Sequence, residues 1–252
     1  MRRVTIRCAV LAACAAFALC GRAAESAGRI TLDVETGAVF SGYNDVRIPG
    51  TTGTLLSLSQ ELETDPEAFG RVRLSCALGD RGTISVLMAP LTLNASGILP
   101  RDVDFQNVVF PAGTRVEAKY RFDSYRLTYR YRVHESGNFR VGLGLTAKVR
   151  DAEVSLTGGG LESKKKNTGP VPLVNFLVEW RGAGRMGVLL EGDALAAPQG
   201  RAEDVLAAVS CRAAENVELR AGYRILEGGA DNDEVYSFAL VHYAVVGVTI
   251  RL

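Results

Sequence analysis

Apolar and polar residues alternate with a period of two along much of this 252-residue chain, which predicts an all-β fold, an antiparallel up-and-down transmembrane β-barrel of about ten strands. Two further observations support this. Beyond residue 20 no apolar run is long enough for a membrane helix, and the apolar side of each strand carries no formal charge along its core. Twenty-seven glycines against eight prolines also favour many strands joined by turns. Eight strands is the alternative count.

The N-terminus reads as a targeting segment. Arg2, Arg3 and Arg7 precede a short apolar stretch at 8–20, and Gly21-Arg22-Ala23 supplies small residues at both positions a signal peptidase reads. Residues 1–23 are therefore expected to be a cleaved signal peptide, leaving 24–252 as the barrel domain. The apolar stretch is short for a bilayer-spanning helix. Leu11-Ala12-Ala13-Cys14 resembles a lipobox, but apolar sequence continues past Cys14 and Arg7 interrupts the region before it. Cys76 and Cys211 remain in the barrel domain. They lie on the apolar side of different strands and are expected as free, lipid-facing thiols, although an exported compartment permits a bridge.

Strands are expected at about 29–41, 68–78, 83–93, 113–133, 139–155, 172–181, 186–195, 204–213, 217–227 and 235–252. In the ninth, Val217, Leu219, Ala221, Tyr223 and Ile225 oppose Glu218, Arg220, Gly222 and Arg224. The fifth sets Phe139, Val141, Leu143, Leu145, Ala147 and Val149 against Arg140, Thr146, Lys148 and Arg150. The fourth changes phase near Asp123-Ser124: Val116, Ala118, Tyr120 and Phe122 share one apolar parity, Tyr125 onward the other. A β-bulge there, or a tight hairpin turn, accounts for the switch.

Alternation alone does not say which face points outward. A secreted lipocalin-like barrel hides its apolar face, whereas a membrane barrel shows it to lipid. The connections favour the membrane. Short ones at 79–82, 134–138, 182–185 and 214–216 alternate with longer ones at about 42–67, 94–112, 156–171, 196–203 and 228–234. Tyr131, Phe139 and Trp180 beside short turns suit an interfacial girdle.

Residues 244–252 (AVVGVTIRL) place Ala244, Val246, Val248, Ile250 and Leu252 on one face. This resembles the terminal-strand signal of bacterial outer-membrane barrels, which their assembly machinery reads; Leu252 stands where the family usually has Phe. The stretches YRFDSYRLTYRYRV at 120–133, GRAEDV at 200–205 and GYRILEGGADNDEVY at 222–236 are similar to small outer-membrane barrel proteins. The resemblance implies the outer membrane of a Gram-negative bacterium as location, with outer-membrane lipids, lipopolysaccharide and the barrel-assembly machinery as partners.

No catalytic constellation emerges. His134-Glu135-Ser136 looks like the His-x-Ser of outer-membrane lipid A 3-O-deacylases, but Lys148 stands where that family's orienting acid falls, and a triad needs its third member in reach. Omptin proteases also have ten strands, with a His-Asp pair at the rim. Here the rim acids Glu203, Asp231, Asp233 and Glu234 have no histidine in adjacent loops. His242 reads as an interfacial or packed residue. Gly158-Gly159-Gly160 and Gly228-Gly229 lack the strand–helix context of a phosphate site. No Cys/His cluster has metal-ligand spacing, and no cofactor is implied. Lys+Arg (29) nearly balances Asp+Glu (28), so no basic excess points to nucleic acid. The basic run Lys164-Lys165-Lys166, read as a loop, offers contact with lipopolysaccharide phosphates.

The inward parity collects charge of both signs: Asp33, Glu35, Arg71, Arg73, Glu117, Arg126, Arg130, Arg132, Arg140, Lys148, Arg150, Glu179, Arg181, Glu191, Asp193, Glu218, Arg220, Arg224 and Arg251. Arg126, Arg130, Arg140 and Arg220 are expected to pair with Glu179, Glu191 and Glu218 across a narrow lumen. That favours a plugged barrel with a structural or surface-binding role. The alternatives are an outer-membrane lipid-modifying enzyme and a narrow anion-selective channel.

Overall fold

The computed structural model describes residues 30–198 and 200–252; the segment read as a signal peptide lies outside them. The described chain forms fifteen strands: β1 (Ile30–Arg47), β2 (Leu56–Ser57), β3 (Glu63–Thr64), β4 (Glu67–Leu78), β5 (Gly82–Ala89), β6 (Thr92–Ile98), β7 (Val103–Phe105), β8 (Val108–Phe110), β9 (Arg115–Ser136), β10 (Phe139–Gly158), β11 (Leu161–Arg181), β12 (Met186–Ala197), β13 (Gly200–Arg212), β14 (Val217–Asp231) and β15 (Tyr236–Arg251). Ten of them, β1, β4, β5 and β9–β15, close into one antiparallel barrel, because β1 pairs with both β15 and β4 and β9 pairs with both β5 and β10. Closure removes the unpaired edges that an open sheet would expose.

Each barrel strand has an outward row free of Asp, Glu, Lys and Arg. On β10 this row runs from Phe139 to Val149, with Leu143 48% and Leu145 71% exposed. The corresponding rows are Tyr125–Val133 on β9, Pro170–Trp180 on β11, Val217–Ile225 on β14 and Leu240–Ile250 on β15. Such stretches match the roughly 9–11 residues that a tilted strand needs to cross a bilayer. Tyr131, Phe139 and Trp180 are exposed beside the short turns, and Phe139 pairs with Trp180 across the ladder.

The strands run on past this belt. At about 3.3 Å per residue, the 22 residues of β9 extend roughly 70 Å along the strand, well beyond a bilayer crossing. This corrects the expected rhythm of short and long connections. The segments read as long loops at 156–171, 196–203 and 228–234 are mostly strand, with turns at 159–160, at 198 and at 232–235. The Lys164-Lys165-Lys166 run accordingly sits in β11. Only 48–66 and 90–114 are long connections. They fold back as a cap in which β2 pairs with β1, β3 with β6, β6 with the far end of β9, and β7 with β8. Gln106 and Asn107 take positive φ (56° and 62°) in the β7–β8 turn, a conformation that Asn tolerates well and Gln less so.

No bulge or hairpin turn exists at Asp123-Ser124. β9 and β10 stay in register from Arg132↔Gly142 to Val116↔Gly158. Val116, Ala118 and Tyr120 are buried on the same inward parity as Ser124, Arg126 and Thr128. The inward row changes chemistry there and keeps its phase. Glu117, expected inward, is exposed on the outer face. Irregularities lie elsewhere: in the β9–β10 ladder between Val141 and Gly142, near the short turn, and in β1 between Ser41 and Tyr43.

Beyond the level of Asp123 the interior is apolar. Val116, Ala118, Val154 and Leu156 of the barrel join Ile48, Leu56, Leu99, Val103, Phe105 and Phe110 of the cap in one buried cluster. The Ser163 hydroxyl of β11 donates to the Phe105 carbonyl at 3.1 Å, tying cap to wall.

Candidate functional site

At the level of the outward belt, the inward face gathers charged side chains among apolar ones such as Leu189, Leu206 and Val245. Arg224 of β14 is 1% exposed, and it lies among Glu35 of β1 and Asp204 of β13, each 2% exposed. Burying charge is costly unless it is paired and hydrogen-bonded, and this arrangement does both. Arg224 donates to Glu35 at 2.8 and 2.9 Å and to Asp204. Arg71 lies 3.2 Å from Glu35 and 3.0 Å from Asp204. Arg126 donates to Asp193 at 2.6 Å and also to Asp204. Asp204 therefore joins three guanidinium groups from β4, β9 and β14.

A second centre is Glu191 of β12. Arg73 lies 2.9 Å from it, Arg130 3.5 Å and Arg224 4.0 Å. Arg220 pairs with Asp33 and, at 2.7 Å, with Glu35. Neutral groups fill the remaining valences. Asn175 accepts from Arg130 at 2.6 Å and donates to Asp193 at 2.8 Å, while Thr146 donates to Asp193 at 2.6 Å. Because long strands place side chains two apart on one face, eight strands converge on this cluster.

The sequence-predicted residues divide between two places. Arg126, Arg130, Glu191 and Arg220 belong to the central cluster. Arg140, Glu179 and Glu218 stand nearer the short-turn rim, where Arg140 lies 3.2 Å from both Glu179 and Glu135, Arg181 2.6 Å from Glu179, and Arg251 2.8 Å from Glu218. The expected partners are corrected accordingly. Arg126 pairs with Asp193 and Asp204, and Arg220 with Asp33 and Glu35, while of the expected pairs Arg130–Glu191 and Arg140–Glu179 form. Asp204 was missing from the expected inward set. Its parity with Leu206, Ala208 and Ser210 carried the signal, but it falls at the first residue of the expected strand, where alternation is least legible.

Lys148 differs from its neighbours. It is 3% exposed, and its Nζ lies 4.7 Å from the centre of the Phe122 ring. Each inward arginine of the central cluster has a carboxylate partner; Lys148 has none among the described residues.

The other candidates fall elsewhere. His134 is exposed near the end of β9, with its ring 6.4 Å from that of Phe139, and Glu135 is engaged by Arg132 at 3.0 Å. His242 faces outward, its Nδ1 2.5 Å from the Tyr223 hydroxyl. The lysine run is ion-paired: Lys164 with Glu162 at 3.4 Å, Lys165 with Glu234 at 3.1 Å and Lys166 with Glu153 at 2.8 Å. Cys211 is free and half-buried. Cys76, expected free, lies on the outward row but is disulfide-bonded, and not to Cys211. Val246 is 53% exposed on the outward face with Val248 and Ile250, and Leu252 follows β15, its N–H donating to the Ile30 carbonyl at 2.8 Å.

An uncharged outward belt around an ion-paired interior defines the class: a ten-stranded barrel with the fold of the bacterial outer-membrane proteins. A known structure agrees on that fold. The chain is similar to the outer-membrane protease OmpT of Escherichia coli, with a TM-score of 0.55 and 10% identity over 88% of this chain and 96% of that one. It also matches the transport unit of the autotransporter AIDA-I from Escherichia coli (TM-score 0.47, 8% identity, 91% and 92% covered). A third match is the attachment invasion locus protein Ail of Yersinia pestis (0.39, 10%, 89% and 99%). At these identities the likeness concerns the fold. No protein-family model matches the chain, and no curated protein matches it in sequence.

Proposed function

We propose that this protein is an integral outer-membrane barrel of Gram-negative bacteria, exported through a cleaved signal peptide at 1–23. Its lumen is closed, and it serves a structural or surface-binding role without catalysis. The observation that carries this reading is the cluster around Arg224, Asp204 and Glu35, whose buried ion pairs cross the barrel at the level of the outward belt. Multiply bonded guanidinium–carboxylate pairs are held in fixed geometry. A passing ion must break them, which distinguishes this interior from the water-filled channels of wider barrels.

In this reading the short turns and both described ends of the chain face the periplasm, and the cap faces outward. Outer-membrane lipids contact the belt, lipopolysaccharide contacts the charged strands above it, and the barrel-assembly machinery reads Val246, Val248, Ile250 and Leu252. The unmodified protein should give almost no current in planar bilayers while fractionating with the outer membrane. Steady anion-selective conductance would replace the closed barrel by the channel alternative, and recovery as a soluble periplasmic protein would remove the membrane reading itself.

A further inference from the structure

A break in the barrel wall lies beside Lys148. β11 pairs with β12 only from Val174↔Ala194 to Arg181↔Gly187. Beyond that point β11 continues toward Leu161 with only β10 as its ladder partner, while β12 turns back into β13. Pro170 and Pro172 fall on this unpaired stretch, where their missing N–H groups are tolerated. Higher up, the contact between Lys165 and Glu234 at 3.1 Å bridges β11 to the β14–β15 turn. The wall therefore has a window, bounded on one side by 170–172 and on the other by Leu195–Ala197.

Behind the window is a cavity of about 380 Å³. It would hold about a dozen water molecules at about 30 Å³ each, and it falls at the small end of ligand-pocket sizes. Its walls are mainly apolar, with Val171, Leu195, Leu226, Ala239 and Val241 among the residues lining it. The polar exceptions are few. Glu227 at one side is already satisfied by Arg201 at 2.8 Å. Lys148 and Arg150, neighbours on the inward face of β10, line it too. Neither has a carboxylate partner among the described residues, and the Arg150 Nε is a buried donor without an acceptor. A buried ammonium without a carboxylate in contact is costly, and an anion brought to it would relieve that cost.

We propose that this cavity binds a small amphiphile, an apolar chain with a single anionic head, whose head group is held by Lys148 and Arg150 and whose chain lies against the apolar walls with the window as its mouth. The proposal rests on the membrane-embedded barrel but not on its closed lumen. The window lies where the outward rows change from Val149 and Pro170 to Asp151 and Thr168, at the boundary between apolar belt and polar surface. An amphiphile partitions to that level.

The test is equilibrium binding of radiolabelled decanoate to the full barrel domain in lipid nanodiscs, with empty nanodiscs subtracted. Heat-modifiable gel mobility verifies folding. Saturable one-site binding is expected. It should weaken by about tenfold to a hundredfold in Lys148→Met, the range for losing a charge-assisted hydrogen bond, and also fall in Val171→Trp, which narrows the cavity. Acetate should compete poorly and decyltrimethylammonium not at all. Lys148→Met should also melt at the same or a higher temperature, since it removes an unpaired buried charge; a merely structural lysine would show a lower one. Absence of saturable binding to the folded protein overturns the site, as do undiminished binding by folded Lys148→Met or equal binding of the cationic probe. Failure to insert into nanodiscs at all would instead count against the membrane barrel.

Discussion

Two halves of the same barrel use opposite sides of their strands for apolar residues. Toward the short turns, β9 and β10 show Tyr129, Leu143 and Leu145 outward and hold Arg126, Thr128 and Thr146 inside. Toward the cap, the same strands show Glu117 and Thr157 outward and bury Val116, Ala118, Val154 and Leu156. The backbone phase does not change between the halves; the surroundings do. Lipid outside calls for an apolar outer face and leaves polar groups to pair within. Water outside calls for the reverse, and the cap supplies the apolar partner. The boundary is marked on the outer face by Arg121, which lies 2.6 Å from Asp123 and 3.0 Å from Asp151.

Each half predicts a different response to substitution. The largest effect is expected inside the charged half. Asp204→Asn strips a partner from Arg71, Arg126 and Arg224 at once, and leaving buried charge uncompensated costs about 3–5 kcal/mol. Urea unfolding in micelles, followed by gel mobility, measures it. A loss below about 1 kcal/mol would show that water reaches the cluster and screens it.

Inside the apolar half, Leu156→Ala should cost roughly 3 kcal/mol, as truncation leaves a cavity against the cap. The same unfolding assay applies, and proteolysis of 48–66 should increase with it. An unchanged variant would mean that the cap and the barrel do not share a core.

The outer faces provide the sharpest contrast. Leu143→Arg puts a charge on the belt and should cost about 2–4 kcal/mol of membrane stability. Glu117→Leu, on the outer face beyond the boundary, should shift stability by less than about 0.5 kcal/mol. Similar losses in the two variants would erase the boundary between the halves.

The smallest expected effect concerns acid. Burial raises the Glu61 carboxyl, but hydrogen bonds from Arg101 and from the Ser57 N–H, at 3.0 Å, outweigh it and hold the group below the ordinary glutamate range. A depressed native value means that the stabilisation is full above the unfolded value and disappears as pH falls through the native one. Hydrogen-exchange protection in 48–66, taken relative to the intrinsic rate at each pH, should therefore fall in acid, while protection in β10 stays high. An equal loss of protection in both would point to global unfolding rather than release of the cap.

Much is legible in the sequence alone. The ten barrel strands overlap the expected ones, and the outward rows, including Val246, Val248 and Ile250, follow from parity alone. The inward set was legible as a set, since Arg126, Arg130, Glu191 and Arg220 do meet. The individual partners were not, because register across eight strands decides which guanidinium reaches which carboxylate. The inversion at Asp123, which parity alone presents as a bulge or a tight hairpin turn, is hidden for a related reason. A two-residue period records that two faces differ and says nothing about which medium lies outside.

The sequence by itself determined that strands alternate, that an uncharged row about eleven residues long recurs, and that charges of both signs share the opposite row. These are local properties, written in neighbouring residues. Only the tertiary structure decided that Asp204 holds three arginines, that the cap fills the far interior, and that Lys148 is left without a carboxylate beside a gap between β11 and β12. Those depend on strand shear, unequal hairpin heights and the return path of 90–114, which bring together residues more than a hundred positions apart.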